Sequence, residues 1–153
     1  MRTTLKVFAF LGLVTALYGA ADPFIGVWKL NTGKSNLSKG SPPKDETIVI
    51  AAAGDQIEVT VSGTAADGSP LSGKYLEPAG GGPAKIEAGV WDGATVKNSN
   101  YYTRETTFMK GGKEASLVRR VVSKDKRTMR ITFIRGVDPQ GNPRQGTLVF
   151  EKQ

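Results

Sequence analysis

The chain has 153 residues, with 21 Lys and Arg against 14 Asp and Glu, and it contains neither cysteine nor histidine. Without those two side chains we expect no zinc or copper site, and neither Ser-His-Asp nor Cys-His catalysis can be assembled. No disulfide can form, so packing alone must hold the fold. We expect no cofactor.

The start of the chain has the pattern of a secretory signal peptide, predicted over residues 1–21. Arg2 and Lys6 form a basic start, residues 7–19 are uncharged and apolar, and Gly19-Ala20-Ala21 offers small residues for cleavage. The apolar run is shorter than the about 20 residues that cross a bilayer, so we expect no stable transmembrane anchor. We predict an exported protein, periplasmic or extracellular in a bacterium, with residues 22–153 as a single domain.

Ten strands are predicted along this domain from period-two alternation between turn-forming residues. In the clearest, Ile57, Val59 and Val61 share one face. The polar segment 31–45, with Pro42-Pro43, is predicted to be a long loop with room for one helical turn. The predicted strands are Ile25–Leu30, Glu46–Ala52, Gln56–Ser62, Leu71–Glu77, Ala84–Ala88, Ala94–Lys97, Thr103–Lys110, Lys113–Ser123, Thr128–Arg135 and Gln145–Lys152.

Glycine, asparagine and proline clusters separate these strands at short, regular intervals, which is typical of hairpins joined in sequence. Such a meander either closes into a barrel or folds into a sandwich. We predict an all-β fold, a single antiparallel meander β-barrel of about 8–10 strands.

Carboxylate pairs are the remaining route to catalysis, and the chain offers Asp45-Glu46 and Glu105 with Glu114. Adjacent carboxylates in an extended segment point to opposite faces. An enzyme would need two acids, or an acid and a tyrosine, in one pocket, and no pattern places them together. We therefore predict a protein that is not an enzyme and, because it is exported, one that does not bind nucleic acid.

Arg119 and Arg120 lie in the middle of a predicted strand. Because sides alternate along a strand, one of them must point into the barrel and the other outward. Apolar neighbours flank both, so they do not decide which. The inward guanidinium needs a partner, which can be an acidic side chain, backbone carbonyls or a bound carboxylate.

Positive charge is concentrated at the end of the chain. Residues 22–109 hold 8 basic and 10 acidic side chains, whereas residues 110–153 hold 11 basic and 4 acidic ones. Solvated strand and turn positions explain this excess. A basic face that docks on an anionic envelope component is the alternative.

The segment Phe24-Ile25-Gly26-Val27-Trp28-Lys29-Leu30 resembles the first strand of calycins, the lipocalins and fatty-acid-binding proteins, which carries a Gly-x-Trp motif. Val149-Phe150-Glu151-Lys152 is similar to the closing strand of the fatty-acid-binding branch, and residues 116–119 and 129–136 resemble its preceding strands. The resemblance therefore covers the first strand and the last forty or so residues. We call the predicted domain lipocalin-like.

This resemblance implies a barrel around a cavity for a small apolar or amphipathic molecule. Trp28 falls where the family plugs one end, Arg119 where an inward arginine meets a ligand carboxylate, and Ile131 and Phe133 on the cavity wall. The family's two other polar anchors fall on Leu148 and Phe150, so these positions are expected to line the cavity as apolar residues. The predicted function is ligand binding in the barrel; the alternative is a filled, non-enzymatic envelope interaction module that docks through its basic C-terminal strands.

Overall fold

The structure, a computed structural model, describes residues 21–153; the predicted signal peptide, apart from Ala21, lies outside this range. Eleven strands and one 3-10 turn, Thr32–Lys34, make up the described chain. The strands are β1 Gly26–Leu30, β2 Asn36–Lys39, β3 Asp45–Ala53, β4 Gln56–Thr64, β5 Pro70–Pro78, β6 Gly82–Ala88, β7 Gly93–Asn100, β8 Thr103–Lys110, β9 Lys113–Val122, β10 Thr128–Gly136 and β11 Gln145–Lys152.

All strand pairings are antiparallel, and the sheet closes on itself. From β3 to β11 each strand pairs with the next one in sequence, and β1 lies between β3 and β11. The register places Trp28 opposite Ile48 of β3 and opposite Lys152 of β11. The prediction of a single antiparallel meander barrel is confirmed, with ten strands in the closed sheet and β2 as an extra strand.

The segment predicted as a long loop, 31–45, contains more structure than expected. It has the single helical turn and also β2, which pairs with the start of β11 through Asn36 opposite Thr147 and Lys39 opposite Gln145. The strand is short and mostly exposed, so it has no apolar alternation that a sequence pattern could reveal.

The two ends of the barrel differ in their packing. At the end that carries the β3–β4, β5–β6, β7–β8 and β9–β10 turns, here called the closed end, large apolar side chains fill the interior. Phe24, Trp28, Met129 and Phe150 are fully buried there. Trp28 Nε1 donates a hydrogen bond of 2.7 Å to the backbone oxygen of Phe24, which fixes the segment before β1 across this end.

The opposite end, here called the open end, carries the β2–β3, β4–β5, β6–β7, β8–β9 and β10–β11 connections. Its interior is less densely filled, and a cavity enters the barrel from this side. Among residues 21–153, no helix has the length and apolar character needed to cross a bilayer.

Candidate functional site

The cavity has a volume of about 180 Å³ and opens to solvent between the loops of the open end. Apolar side chains from seven strands, β3 to β6 and β8 to β10, form most of its wall. Because alternate residues of each strand point inward, these side chains come from positions two apart in sequence, such as Val59 and Val61. The principal wall residues are Ile48, Val59, Ile86, Val118, Ile131 and Phe133.

The guanidinium group of Arg120 lines the inner part of the cavity. Its side chain is only 4% exposed, and Nη2 donates to Glu77 Oε2 at 2.6 Å and to Thr106 Oγ1 at 3.3 Å. Its Nε and Nη1 are buried and have no acceptor within the described residues 21–153. Burial lowers the pKa of Arg120, but the charge and hydrogen bond of Glu77, with smaller contributions from Tyr75 and Asp22, together outweigh burial and raise it, so the side chain stays charged.

Glu77 joins Arg120 to a second buried arginine. The carboxylate is fully buried, and its other oxygen accepts a hydrogen bond of 3.0 Å from Nη1 of Arg104. Arg104 also forms an ion pair with Asp22, which precedes β1. The Phe24 ring lies against both guanidinium groups, with its centre 4.4 Å from Cζ of Arg104 and 5.7 Å from that of Arg120. These four charged side chains, Asp22, Glu77, Arg104 and Arg120, are called the ionic cluster below.

A second set of polar side chains lies near the mouth of the cavity. Glu46, the second residue of β3, faces the cavity, and burial raises the pKa of its carboxyl group to about 7 despite the opposing charge of Arg144. Some of the Glu46 side chain remains exposed. Arg144 is buried between the cavity and the β10–β11 loop, with its Cζ 5.0 Å from the Phe133 ring centre and Nη2 3.8 Å from Asp138.

Tyr75 lies on the cavity wall between these two polar regions. Burial raises the pKa of its hydroxyl to about 12, so it is a hydrogen-bond donor at neutral pH. The ring meets Phe108 edge-on, with 5.8 Å between their centres.

The β6–β7 loop forms one side of the mouth. Trp91 stacks on Phe108 with 5.5 Å between ring centres, and Val90, 43% exposed, extends beyond it. Both loop residues line the cavity. A tryptophan at this position provides a fluorescence signal at the entrance, distinct from Trp28 at the closed end.

The structure places the predicted ligand-binding residues in three different environments. Ile131 and Phe133 lie on the cavity wall. Trp28, Leu148 and Phe150 are buried in the packed core, outside the set of described residues that line the cavity.

Arg119 requires a correction, because its side chain lies on the outer surface of the barrel. It is 49% exposed and forms an ion pair of 2.7 Å with Glu105 of β8, whereas the side chain of Arg120 is 4% exposed. From Ser116 to Val122 the inward residues of β9 are the even-numbered ones, including Val118 and Arg120. The resemblance to fatty-acid-binding proteins predicted the inward arginine one residue too early, and a shift of one residue turns a side chain to the opposite face.

The predicted carboxylate pairs do not form a site. Glu105 and Glu114 lie on the outer surface, where they pair with Arg119 and Arg135. In Asp45-Glu46 the two side chains diverge as expected, and Glu46 reaches the cavity while Asp45 is exposed.

The remaining polar residues of the site were not predicted from the sequence: Glu46 and Tyr75 as cavity residues, Glu77, Arg104 and Arg144. One usable signal was the alternation on β5, where Leu71, Tyr75 and Glu77 share a face and so place an acid inside.

No group of three or more acidic side chains within the described residues is arranged to hold a metal ion. Comparison with protein-family models, with curated proteins and with solved structures finds no match to this chain. The functional proposal below therefore depends on the geometry of the barrel and its cavity.

Proposed function

We propose that the barrel binds and carries a small, mostly apolar molecule in the cavity at its open end. The observation that supports this most directly is the cavity itself, with an apolar wall and a buried arginine that has two donors without acceptors. Buried polar groups are normally satisfied, and an unsatisfied one calls for an additional partner. A ligand group that accepts a hydrogen bond from Arg120 would supply it.

The size of the cavity limits the ligand. An enclosed apolar cavity of about 150 Å³ accepts benzene, and the cavity here measures about 180 Å³. The part of the ligand inside the barrel is therefore about one ring with a small substituent, while a longer molecule would extend past Val90 and Trp91. This favours small amphiphiles over a long acyl chain coiled within the barrel.

The alternative, a filled module that docks through basic strands, receives less support. The C-terminal third holds the positive excess, but Arg120 and Arg144 are inside the protein. Arg119 and Arg135 each form an ion pair with an acidic residue on a neighbouring strand. These four side chains do not add to a free basic surface.

A second candidate function, catalysis, depends on Glu46 and Tyr75, which line the same cavity. A carboxylate with a pKa of about 7 is suited to remove a proton from carbon next to a carbonyl group, and the Tyr75 hydroxyl could donate a hydrogen bond to the resulting oxygen anion. The test is exchange of the α-hydrogens of a small ketone for deuterium in D₂O, measured by NMR. Exchange that is lost in Glu46→Gln would support catalysis. Exchange no faster than in buffer without protein would contradict catalysis and leave ligand binding as the proposed function.

The binding proposal is tested by native mass spectrometry of the protein purified gently from its own host, before and after exposure to lipid and small-molecule extracts. A retained molecule that also raises the melting temperature supports binding. Ile86→Trp fills the cavity from its wall and should abolish retention, whereas Val49→Trp on the outer face should not. An unliganded mass in every extract, with no change in melting temperature, would contradict the proposal.

A further inference from the structure

The side-chain charges of the ionic cluster balance, and above about pH 8 the α-amino group that the predicted cleavage after Ala21 would leave on Asp22 is mostly uncharged. Arg104 and Arg120 contribute two positive charges, and Glu77 and Asp22 contribute two negative ones. Within residues 21–153 no other charged side chain forms an ion pair with these four. Arg120 therefore has two hydrogen-bond donors without acceptors, although its positive charge is already compensated by the acidic side chains of the cluster.

This balance distinguishes two kinds of ligand. A carboxylate brought beside Arg120 would add a net negative charge to a buried, neutral cluster, and an uncompensated charge in the interior is costly. An uncharged acceptor would satisfy a free donor without that cost. At the mouth, Glu46 in its ionised form adds a further negative charge on the path into the cavity.

We infer that the ligand carries an uncharged hydrogen-bond acceptor, such as a ketone, amide or ester carbonyl, and that the ionic cluster holds this group through Arg120. The inference rests on the proposed binding function and narrows it. It assigns Glu77 and Asp22 a role in specificity, because they set the charge that the cavity prefers.

Three ring compounds of nearly equal shape test this inference: acetophenone, benzoate and ethylbenzene, titrated by calorimetry above about pH 8, where benzoate and Glu46 are ionised. We expect acetophenone to bind at least about tenfold more tightly than benzoate and more tightly than ethylbenzene. The same three titrations with Glu46→Gln show whether the preference for acetophenone over benzoate depends on the charge at the mouth of the cavity. We expect most of this preference to persist in the variant.

Asp22→Asn is the decisive variant, because it removes one negative charge from the cluster at a half-buried position. We expect benzoate to gain affinity several-fold while acetophenone changes little. Asp55→Asn removes the same charge from the exposed β3–β4 turn at the closed end and should leave the ratio of the two affinities unchanged. Circular dichroism confirms that each variant is folded.

The outcomes separate the inference from the function on which it rests. Benzoate binding as tightly as acetophenone in the unmodified protein would overturn the inference and leave ligand binding intact. Ethylbenzene binding as tightly as acetophenone would also overturn it, since the Arg120 donors would then be unused or satisfied by water. Failure of all three compounds to bind would count against the proposed function, and the inference would fall with it.

Discussion

Glu77 Oε2 accepts a hydrogen bond of 2.6 Å from Arg120 Nη2, and both side chains lie inside the barrel. Because the other oxygen of Glu77 accepts a hydrogen bond from Arg104, one carboxylate bridges two buried cations. We expect Glu77→Gln to lower the free energy of unfolding by about 3–5 kcal/mol, since it leaves those cations without their shared partner. Urea unfolding followed by circular dichroism measures this loss.

The matched control is Glu105→Gln, which removes the acid of the exposed Glu105–Arg119 pair. Exposed pairs contribute little, so we expect a loss below about 1 kcal/mol. Equal losses in the two variants would contradict a structural role for the buried Glu77.

Phe24 forms part of the closed end, where its ring is fully buried against two guanidinium groups. We expect Phe24→Ala to cost about 3–5 kcal/mol, because it removes a large core side chain and its contacts with Arg104. Val27→Ala, in the neighbouring strand but 40% exposed, should change stability by no more than about 0.5 kcal/mol. A small effect of Phe24→Ala on the unfolding midpoint would show that the residues before β1 are dispensable for packing.

Glu46 makes stability depend on pH. Its folded-state pKa of about 7 lies above the ordinary value of 4.5, so the folded state favours the protonated form. The stability that this shift provides is fully present below about pH 4.5 and is lost as the pH rises to about 7. The free energy of unfolding should therefore decrease by about 2–3 kcal/mol because of this group. The difference in unfolding free energy between the unmodified protein and Glu46→Gln, measured across this range, isolates it from other carboxyl groups. An exposed control, Glu114→Gln, should retain the pH slope of the unmodified protein.

Gly136 ends β10 with φ at +117°, and a Cβ atom there would overlap the backbone of Ala115 and Ser116 on β9. We expect Gly136→Ala to destabilise the protein by about 2 kcal/mol or more, because the strands cannot separate without losing their pairing. Gly80→Ala, at a position with open space around it, should change stability by about 0.5 kcal/mol or less. Thermal unfolding of both variants distinguishes them directly.

The sequence predicted the barrel better than it predicted the site. Alternation in residues such as Ile57 and Val59 identifies a strand with one buried face, and ten such strands in sequence leave few topologies. On β9, however, Leu117 and Val121 flank Arg119 as Val118 and Val122 flank Arg120, so hydropathy cannot choose the inward face.

That choice depends on pairing irregularities that hydropathy does not encode. Register shifts occur between Phe108 and Met109 on β8 and between Phe133 and Arg135 on β10, on either side of β9. The ionic cluster could not be predicted from the sequence either, because Asp22, Glu77 and Arg104 are far apart along the chain and each resembles an ordinary surface residue. Only the closed barrel brings them together.

The pairing of β1 with β11 has a consequence for how the barrel folds. Neighbouring segments of the chain form the pairings of the meander from β3 to β11, but Leu30 pairs with Phe150, about 120 residues later, so closing the barrel requires contacts between segments that are far apart in sequence. A sheet without β11 would have unpaired edges at β1 and β10, and unpaired strand edges are prone to aggregate. Pairing of the final strand with β1 and β10 therefore protects both edges of the sheet.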